Sequence, residues 1–110
     1  MFKPEGMIPA MITPFGKDGT LNESALRMQV RRLVEAGVDG LFCLGTNGEF
    51  YALGGEEKIR IAEIVTEEVD GRIPVYAGTG CTSTRDTIDL TLAMEKIGGN
   101  AVSVITPFFF

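Results

Sequence analysis

Residues 40–49 read Gly-Leu-Phe-Cys-Leu-Gly-Thr-Asn-Gly-Glu, a short apolar run that ends in a turn bracketed by glycines. A continuous apolar run of this length is typical of a strand covered on both faces in a parallel sheet. Glycine tolerates positive φ angles and lets a backbone approach a ligand closely. The stretch therefore predicts a buried strand with a specialised turn at its carboxyl end.

Similar apolar runs recur on both sides of this stretch, spaced by roughly the 30 residues that one β-α unit occupies. The four predicted strands are Met7–Thr13, Gly40–Leu44, Ile73–Ala77 and Ala101–Ile105. The sequence Ile-Thr-Pro-Phe occurs at the end of the first strand and again after the fourth. This repeated sequence indicates that the chain is built from repeated β-α units.

Helical spacing of apolar residues predicts one helix between each pair of strands. The three predicted helices are Leu21–Gly37, Gly55–Asp70 and Ser83–Ile97. Asn22 is the expected N-cap of the first helix, and Ser83 with Asp86 resembles a capping box at the third. No linker or low-complexity segment interrupts the pattern, so residues 1–110 are expected to form one unit without an internal boundary.

Two α/β architectures fit this order of elements. One is a small doubly wound sheet, and the other is the N-terminal half of a (β/α)8 TIM barrel, with strands 1–4 and helices 1–3, because a whole barrel needs about 250 residues. The chain ends on Phe108, Phe109 and Phe110 directly after a strand. Three consecutive aromatic residues would form an exposed apolar patch if nothing covered them, which favours the half-barrel.

Composition argues against several classes of protein. A net charge of −5 gives no basic surface for nucleic acid or for anionic lipid. No apolar run approaches the roughly 20 residues of a membrane helix, and Met1–Gly6 carries no apolar signal segment, so the cytoplasm is the expected location. With no histidine and two cysteines outside any CxxC pair, neither a metal site nor a cofactor is expected.

The turn at Gly45–Gly48 is the strongest candidate site. In parallel β-α folds, ligands lie at the carboxyl ends of the strands. Successive amides in such a turn can bind an anion, and Thr46 and Asn47 add a hydroxyl and a carboxamide. A small carboxylate would suit these groups. The alternative is a turn that needs glycine for steric reasons alone, and that role is favoured for Gly78-Thr-Gly80.

Several other polar residues have structural interpretations. Glu49 is expected to anchor the turn, and Tyr51 to serve packing or a subunit contact. Cys43 is predicted to lie in the core, whereas Cys81 lies near a strand end with no evident activating partner. The lysines of the chain are expected to be solvated surface residues, namely Lys3, Lys17, Lys58 and Lys96.

Four stretches together resemble the dihydrodipicolinate synthase / N-acetylneuraminate lyase family, in order and with its spacing. They are Gly6–Phe15, Gly45-Thr-Asn-Gly-Glu49, Arg72-Ile-Pro-Val-Tyr-Ala-Gly-Thr-Gly80 and Val104-Ile-Thr-Pro107 with its following aromatics. The resemblance implies a TIM barrel and a class I, Schiff-base aldolase or lyase that joins pyruvate or another 2-keto acid to an aldehyde, or cleaves such a bond. It also implies a homo-oligomer, commonly a tetramer.

The resemblance further implies that Thr46, Asn47 and Gly48 hold the substrate carboxylate and that the Thr46 hydroxyl belongs to a proton relay. The Schiff-base lysine of the family would lie beyond residue 110, so the chain alone is expected to be inactive. Phe109 stands where a relay tyrosine is common, and it can line a pocket or an interface but cannot pass a proton. Residues Gly55, Lys58 and Thr82 differ from the synthase's lysine-inhibitor site, so lysine feedback is not expected.

Two alternatives to an aldolase remain open from the residues themselves. One is a non-catalytic α/β module that binds a small anion at the Gly45–Glu49 turn. The other is a half-barrel that assembles with a second copy or a partner to cover its open strand edges. The aldehyde substrate is not specified by any of these residues.

Overall fold

The structure is a computed structural model that describes residues 2–106 of the 110-residue chain. Its helices are α1 (Glu23–Glu35), α2 (Gly55–Val69) and α3 (Thr84–Ile97), and Phe50–Ala52 forms one turn of 3-10 helix. Its strands are β1 (Leu41–Cys43), β2 (Val75–Gly78) and β3 (Ala101–Ser103), which form a parallel sheet in the order β1-β2-β3. The predicted alternation of strands and helices is confirmed, with strands shorter than expected.

The core lies between one face of the sheet and the helices. Leu41 and Cys43 of β1, and Val75 and Ala77 of β2, are buried on the helix-covered face. Phe42 and Tyr76 alternate with them on the opposite face and are only partly buried. Helix α2 supplies the largest contribution to the core, through side chains that are at most 2% exposed: Ile61, Ala62, Ile64, Val65 and Val69. Each larger aliphatic side chain contributes roughly 1.5–3 kcal/mol by leaving water.

The first predicted strand, Met7–Thr13, forms only a parallel bridge between Ala10 and Phe42. The Phe42 N–H donates to the Pro9 carbonyl at 3.0 Å, and the Met11 N–H donates to the Phe42 carbonyl at 2.8 Å. Pro9 has no N–H to extend the ladder. On the other side of this segment, the Gln29 carboxamide pairs with the N–H and carbonyl of Ile12, both at 3.1 Å. The segment therefore joins the sheet next to β1 without becoming a regular strand.

Two helix starts follow the predicted caps. The Asn22 side chain accepts from the Ala25 N–H at 3.0 Å, and the Ser83 hydroxyl accepts from the Asp86 N–H at 3.1 Å. Each bond satisfies one of the N–H groups that a helix leaves unpaired at its start. At α2, Glu57 accepts from the Gly54 N–H at 3.1 Å, which is one half of a capping box.

Ion pairs join the outer surfaces of α1 and α2. Arg60 donates to Glu23 at 2.8 and 3.0 Å, and Arg31 donates to Glu68 at 2.8 and 3.2 Å. The hydrogen bond from Arg31 lowers the pKa of Glu68 below its ordinary value. Because these pairs are solvent-accessible, their contribution to stability is screened by salt.

Within residues 2–106, none of the helices is long and apolar enough to cross a membrane. The same residues contain no group of three acidic or cysteine side chains that could hold a metal ion.

Candidate functional site

The turn after β1 uses some of its amides internally and leaves others available. The Gly48 N–H donates to the Gly45 carbonyl at 3.0 Å, and the Glu49 N–H donates to the Thr46 carbonyl at 3.0 Å. The N–H groups of Thr46 and Asn47 donate to no acceptor in the described part of the chain. Two consecutive, unused backbone donors are the arrangement that binds an anionic oxygen.

Two residues in the left-handed region flank the Gly45–Gly48 turn. Leu44 precedes it with φ 63°, and Glu49 follows it with φ 59°. The left-handed conformation costs a residue with a Cβ about 1–2 kcal/mol. Leu44 is only 1% exposed, so its side chain is held by the core in spite of this strain. Strained backbone of this kind persists where the surroundings enforce it, and it is often found at functional sites.

Neighbouring segments fix the turn from both sides. The buried Thr13 hydroxyl donates to the Gly48 carbonyl at 2.6 Å. On the other side, the Leu44 carbonyl packs directly onto the Cα of Gly78, so closely that a Cβ at that position would overlap the oxygen. The first segment of the chain and β2 therefore both determine where the turn lies.

A cavity of about 290 Å³ lies at the carboxyl ends of the three strands. Thr46 and Asn47 form part of its wall together with Phe42 and Phe50. Gly78, Gly80, Ser103 and Ile105 line it from the ends of β2 and β3. The wall is mainly apolar, with polar groups concentrated at the turn. Such a surface orients a small polar ligand at one end and leaves its apolar part against carbon.

The predicted site residues are placed as follows. Thr46 and Asn47 are exposed on the turn, and Gly48 is buried beneath it. Tyr51 is 52% exposed and packs edge-on against Phe50, with ring centroids 5.7 Å apart. Phe109 lies outside the described residues.

Two of the expected side-chain roles differ in the structure. The Glu49 carboxylate makes no hydrogen bond within residues 2–106, so the expected anchoring of the turn by this side chain is not seen there. Lys58 was expected on the surface, and this is wrong, because it is only 8% exposed. Its ammonium lies 5.7 Å from the centre of the Phe50 ring, which covers it.

The two cysteines differ in environment. Cys43 is 2% exposed in the core, as predicted, and burial raises the pKa of its thiol to about 12. Cys81 is partly exposed, and the Lys58 ammonium lies 3.9 Å from its sulfur. Sequence analysis identified no activating partner for Cys81, and the structure places the Lys58 ammonium beside it.

Sequence reasoning missed Thr13 and Leu44 as residues that shape the site. Thr13 carried one usable signal, since it belongs to the repeated Ile-Thr-Pro-Phe sequence at a strand end. Leu44 carried none, because leucine is not a residue that favours the left-handed region. The role of Gly78 in close packing agrees with the steric role predicted for Gly78-Thr-Gly80.

Comparison with known proteins gives consistent matches along the chain. Residues 3–110 match the family model described as the dihydrodipicolinate synthetase family. The chain is 45% identical over 109 residues to the 4-hydroxy-tetrahydrodipicolinate synthase of Methanopyrus kandleri, covering 98% of this chain and 36% of that protein. It is 42% identical over 105 residues to YagE of Escherichia coli, a putative 2-dehydro-3-deoxy-D-gluconate aldolase, covering 96% of this chain and 35% of that protein.

Solved structures agree with these matches. The crystal structure of E. coli YagE in complex with pyruvate has a TM-score of 0.92 at 42% identity, covering 96% of this chain and 35% of that one. The structure of CdNal from Clostridium difficile in complex with mannosamine has a TM-score of 0.95 at 33% identity, covering 99% of this chain and 38% of that one.

The chain spans about a third of the length of the curated relatives it matches. Its strands and helices superimpose on part of a TIM barrel in the solved relatives, so the predicted fold class is confirmed. Together, the family model, the sequence identities and the structural similarity show that the chain belongs to the dihydrodipicolinate synthetase family.

Proposed function

We propose that this chain supplies the carboxylate-binding turn of a class I, pyruvate-dependent aldolase or lyase. The observation that carries the proposal is the pair of unused N–H groups at Thr46 and Asn47, two residues that line the cavity at the strand ends. A 2-keto acid presents a carboxylate beside an electrophilic carbonyl. If the turn binds the carboxylate, the carbonyl carbon points toward the interior of the barrel, where a Schiff-base amine of this family would attack it.

Preorganisation of the turn supports this role. Binding an anion through amides that are already fixed avoids the entropy cost of ordering them. The internal bonds of Gly48 and Glu49, the Thr13 hydroxyl and the packing of Leu44 on Gly78 all restrict the turn before a ligand arrives. The Thr46 hydroxyl makes no hydrogen bond within residues 2–106, so it is available to accept or donate a proton near the bound keto acid.

Calorimetric titration tests the proposed ligand class. Pyruvate is expected to bind in preference to inorganic phosphate and nucleotides, because the turn offers two amides rather than a basic pocket. Gly48→Ala is expected to weaken pyruvate binding, since its Cβ would lie 3.2 Å from the Met11 carbonyl and 3.3 Å from the Leu44 nitrogen and the Thr13 hydroxyl, so that the turn must shift. Gly55→Ala is the matched control, because nothing lies within 4 Å of a Cβ there. A preference for phosphate would favour the anion-binding module instead.

Borohydride trapping tests whether any lysine of this chain carries the covalent step. A Schiff-base lysine needs a desolvated amine that faces the keto acid. Lys58 is buried, but it lines a different cavity from Thr46 and Asn47, with Phe50 in the wall of both. We therefore expect no pyruvyl adduct on the 110-residue chain by mass spectrometry after incubation with pyruvate and borohydride. A stable adduct at Lys58 would contradict this assignment.

A second candidate is a half-barrel that pairs with another copy of itself. In residues 2–106 the outer edge of β3 has no partner strand. Val102 in β3, and Val104 and Ile105 just after it, are 42–55% exposed. An open edge of this kind is a site for association. Sedimentation velocity distinguishes the two candidates, because concentration-dependent dimerisation supports pairing whereas a stable monomer that binds pyruvate counts against it.

A further inference from the structure

A second cavity, of about 500 Å³, opens between the 3-10 turn, α2 and the start of α3. Its wall includes Lys58 and Cys81, with Asp86 and Asp89 on the α3 side. Lys58 is 8% exposed and forms no ion pair within residues 2–106. Its ammonium lies 3.9 Å from the Cys81 sulfur and over the Phe50 ring. A buried ammonium without a carboxylate partner is expensive, so its placement beside a thiol needs a reason.

The environment of Cys81 favours oxidation at this position. Reactivity of a cysteine increases with a nearby cation and with access to solvent. Cys81 has both, because it is partly exposed on the cavity wall and the Lys58 ammonium is its charged neighbour. Its backbone is held in place, since the Cys81 N–H donates to the Thr87 hydroxyl at 3.0 Å. The Cys81 backbone is therefore held in place beside α2, which carries Lys58.

We propose that Cys81 and Lys58 form a covalent cross-link when the protein is oxidised. A peroxide first converts the thiol into a sulfenic acid: the sulfur gives up two electrons, the peroxide O–O bond breaks and one water leaves. Lys58 then loses a proton to solvent, and its neutral nitrogen attacks the sulfur. The S–N bond forms as the S–O bond breaks, and the hydroxyl leaves with a nitrogen proton as a second water. A second peroxide oxidises this link further: the S–N bond and the peroxide O–O bond break, one oxygen forms new bonds to both sulfur and nitrogen, and the other oxygen leaves as water.

The distance permits this reaction after a small movement. The lysine side chain is a flexible four-carbon stem, so the 3.9 Å separation closes by rotation of its terminal bonds. Closing it ties the first turn of α2 to the loop after β2. That loop includes Gly80, which lines the candidate pyruvate cavity, and Phe50 lies in the wall of both cavities. The cross-link therefore rigidifies residues that border the site, and its formation does not depend on the proposed function.

Peptide mapping of the whole chain after titration with hydrogen peroxide tests the proposal. The expected product is a joined peptide whose mass is that of the Lys58 and Cys81 peptides together minus two hydrogens. After the second oxidation, its mass is higher by one oxygen. A reductant such as dithiothreitol should separate the peptides. Cys81→Ser and Lys58→Arg should each abolish the joined peptide, and Lys96→Arg should leave its yield unchanged. Circular dichroism shows whether each variant keeps the native helix content.

The chain contains its own control in Cys43, whose thiol is buried in the core. Under native conditions, the cross-link should form at Cys81 while Cys43 stays unmodified. Oxidation of Cys81 only to sulfinic or sulfonic acid, with no joined peptide, would overturn the proposal. An equal yield of the joined peptide in a denaturant would also overturn the proposal, because the reaction would then not depend on the folded structure.

Discussion

The Thr13 hydroxyl donates a buried hydrogen bond of 2.6 Å to the carbonyl of Gly48. This bond links the first segment of the chain to the turn that follows β1, across 35 positions of sequence. Because it holds the Gly48 carbonyl, the bond restricts the backbone of the turn that carries the Thr46 and Asn47 N–H groups. The bond is therefore one of the fixed points of the proposed carboxylate site.

Thr13→Val is expected to weaken pyruvate binding and to lower the stability of the chain. The valine has a similar shape but leaves the Gly48 carbonyl buried without a donor, at a cost of about 1–3 kcal/mol. Isothermal calorimetry and urea unfolding measure the two effects. Thr13→Ser, which keeps the hydroxyl, should restore most of the affinity. Equal affinity in the valine variant and the parent would show that the bond does not position the turn.

Gly78→Ala is expected to destabilise the chain by about 1–3 kcal/mol, as overpacking of a filled interior does. The new Cβ would overlap the Leu44 carbonyl, which belongs to the backbone and cannot rotate away. Gly55→Ala, with open space around its Cβ, should change stability by less than about 0.5 kcal/mol. Urea denaturation midpoints compare the two. A Gly78→Ala variant as stable as the parent would mean that the turn shifts freely.

Glu49→Gly tests whether the backbone strain beside the Gly45–Gly48 turn contributes to pyruvate binding, and Asp70→Gly is the matched control at the end of α2. Both residues are exposed and left-handed, with φ 59° and 50°. Glycine removes the steric penalty at either position, so each variant should gain up to about 1 kcal/mol of stability. Only Glu49→Gly should weaken pyruvate binding, because Asp70 ends α2 far along the chain from the turn. Unchanged binding in both variants would show that the strain has no functional role.

Acid should weaken the contact between α1 and α2 through Glu68. The hydrogen bond from Arg31 lowers the pKa of this carboxyl below its ordinary value of 4.5. A carboxyl whose pKa is lower in the folded state adds stability above its unfolded pKa, and that stability is lost as the pH falls through the folded pKa. Unfolding by urea at several pH values should therefore show a smaller acid-side loss in Glu68→Gln than in the parent.

Two controls complete this pH experiment. Glu95→Gln should behave like the parent, because Glu95 forms no ion pair within residues 2–106. High salt should reduce the difference between the parent and Glu68→Gln, since the pair is accessible to solvent. The same acid-side loss with and without the Glu68 carboxylate would mean that another group is responsible.

Periodicity predicted the helices and the position of the turn because both depend on local patterns. Asn22 and Ser83 were found as N-caps from residue type alone, since a cap is a bond to an amide three residues away. Met7–Thr13 was predicted as a full strand, but its pairing depends on how Pro9 meets β1 and on the carboxamide of Gln29. Those are contacts between distant parts of the chain.

The residues of the candidate site could be predicted from the sequence, but the tertiary contacts that hold them in place could not. Thr46, Asn47 and Gly48 stand in a local motif, but the hydroxyl of Thr13 reaches the turn only through the tertiary fold. The burial of Lys58 was also unpredictable, because its position on α2 gives no sign that the Phe50 ring covers it. The Thr13–Gly48 bond and the burial of Lys58 both depend on contacts between segments that only the tertiary fold brings together.

Amide chemical shifts during a pyruvate titration test the central claim most directly. In ¹H–¹⁵N spectra of the 110-residue chain, the Thr46 and Asn47 amide protons should move downfield in a saturable way, as a hydrogen bond to a carboxylate requires. Acetone, which lacks the carboxylate, should leave them in place. Saturable shifts elsewhere with Thr46 and Asn47 unmoved, or no saturable shift at all, would contradict the account.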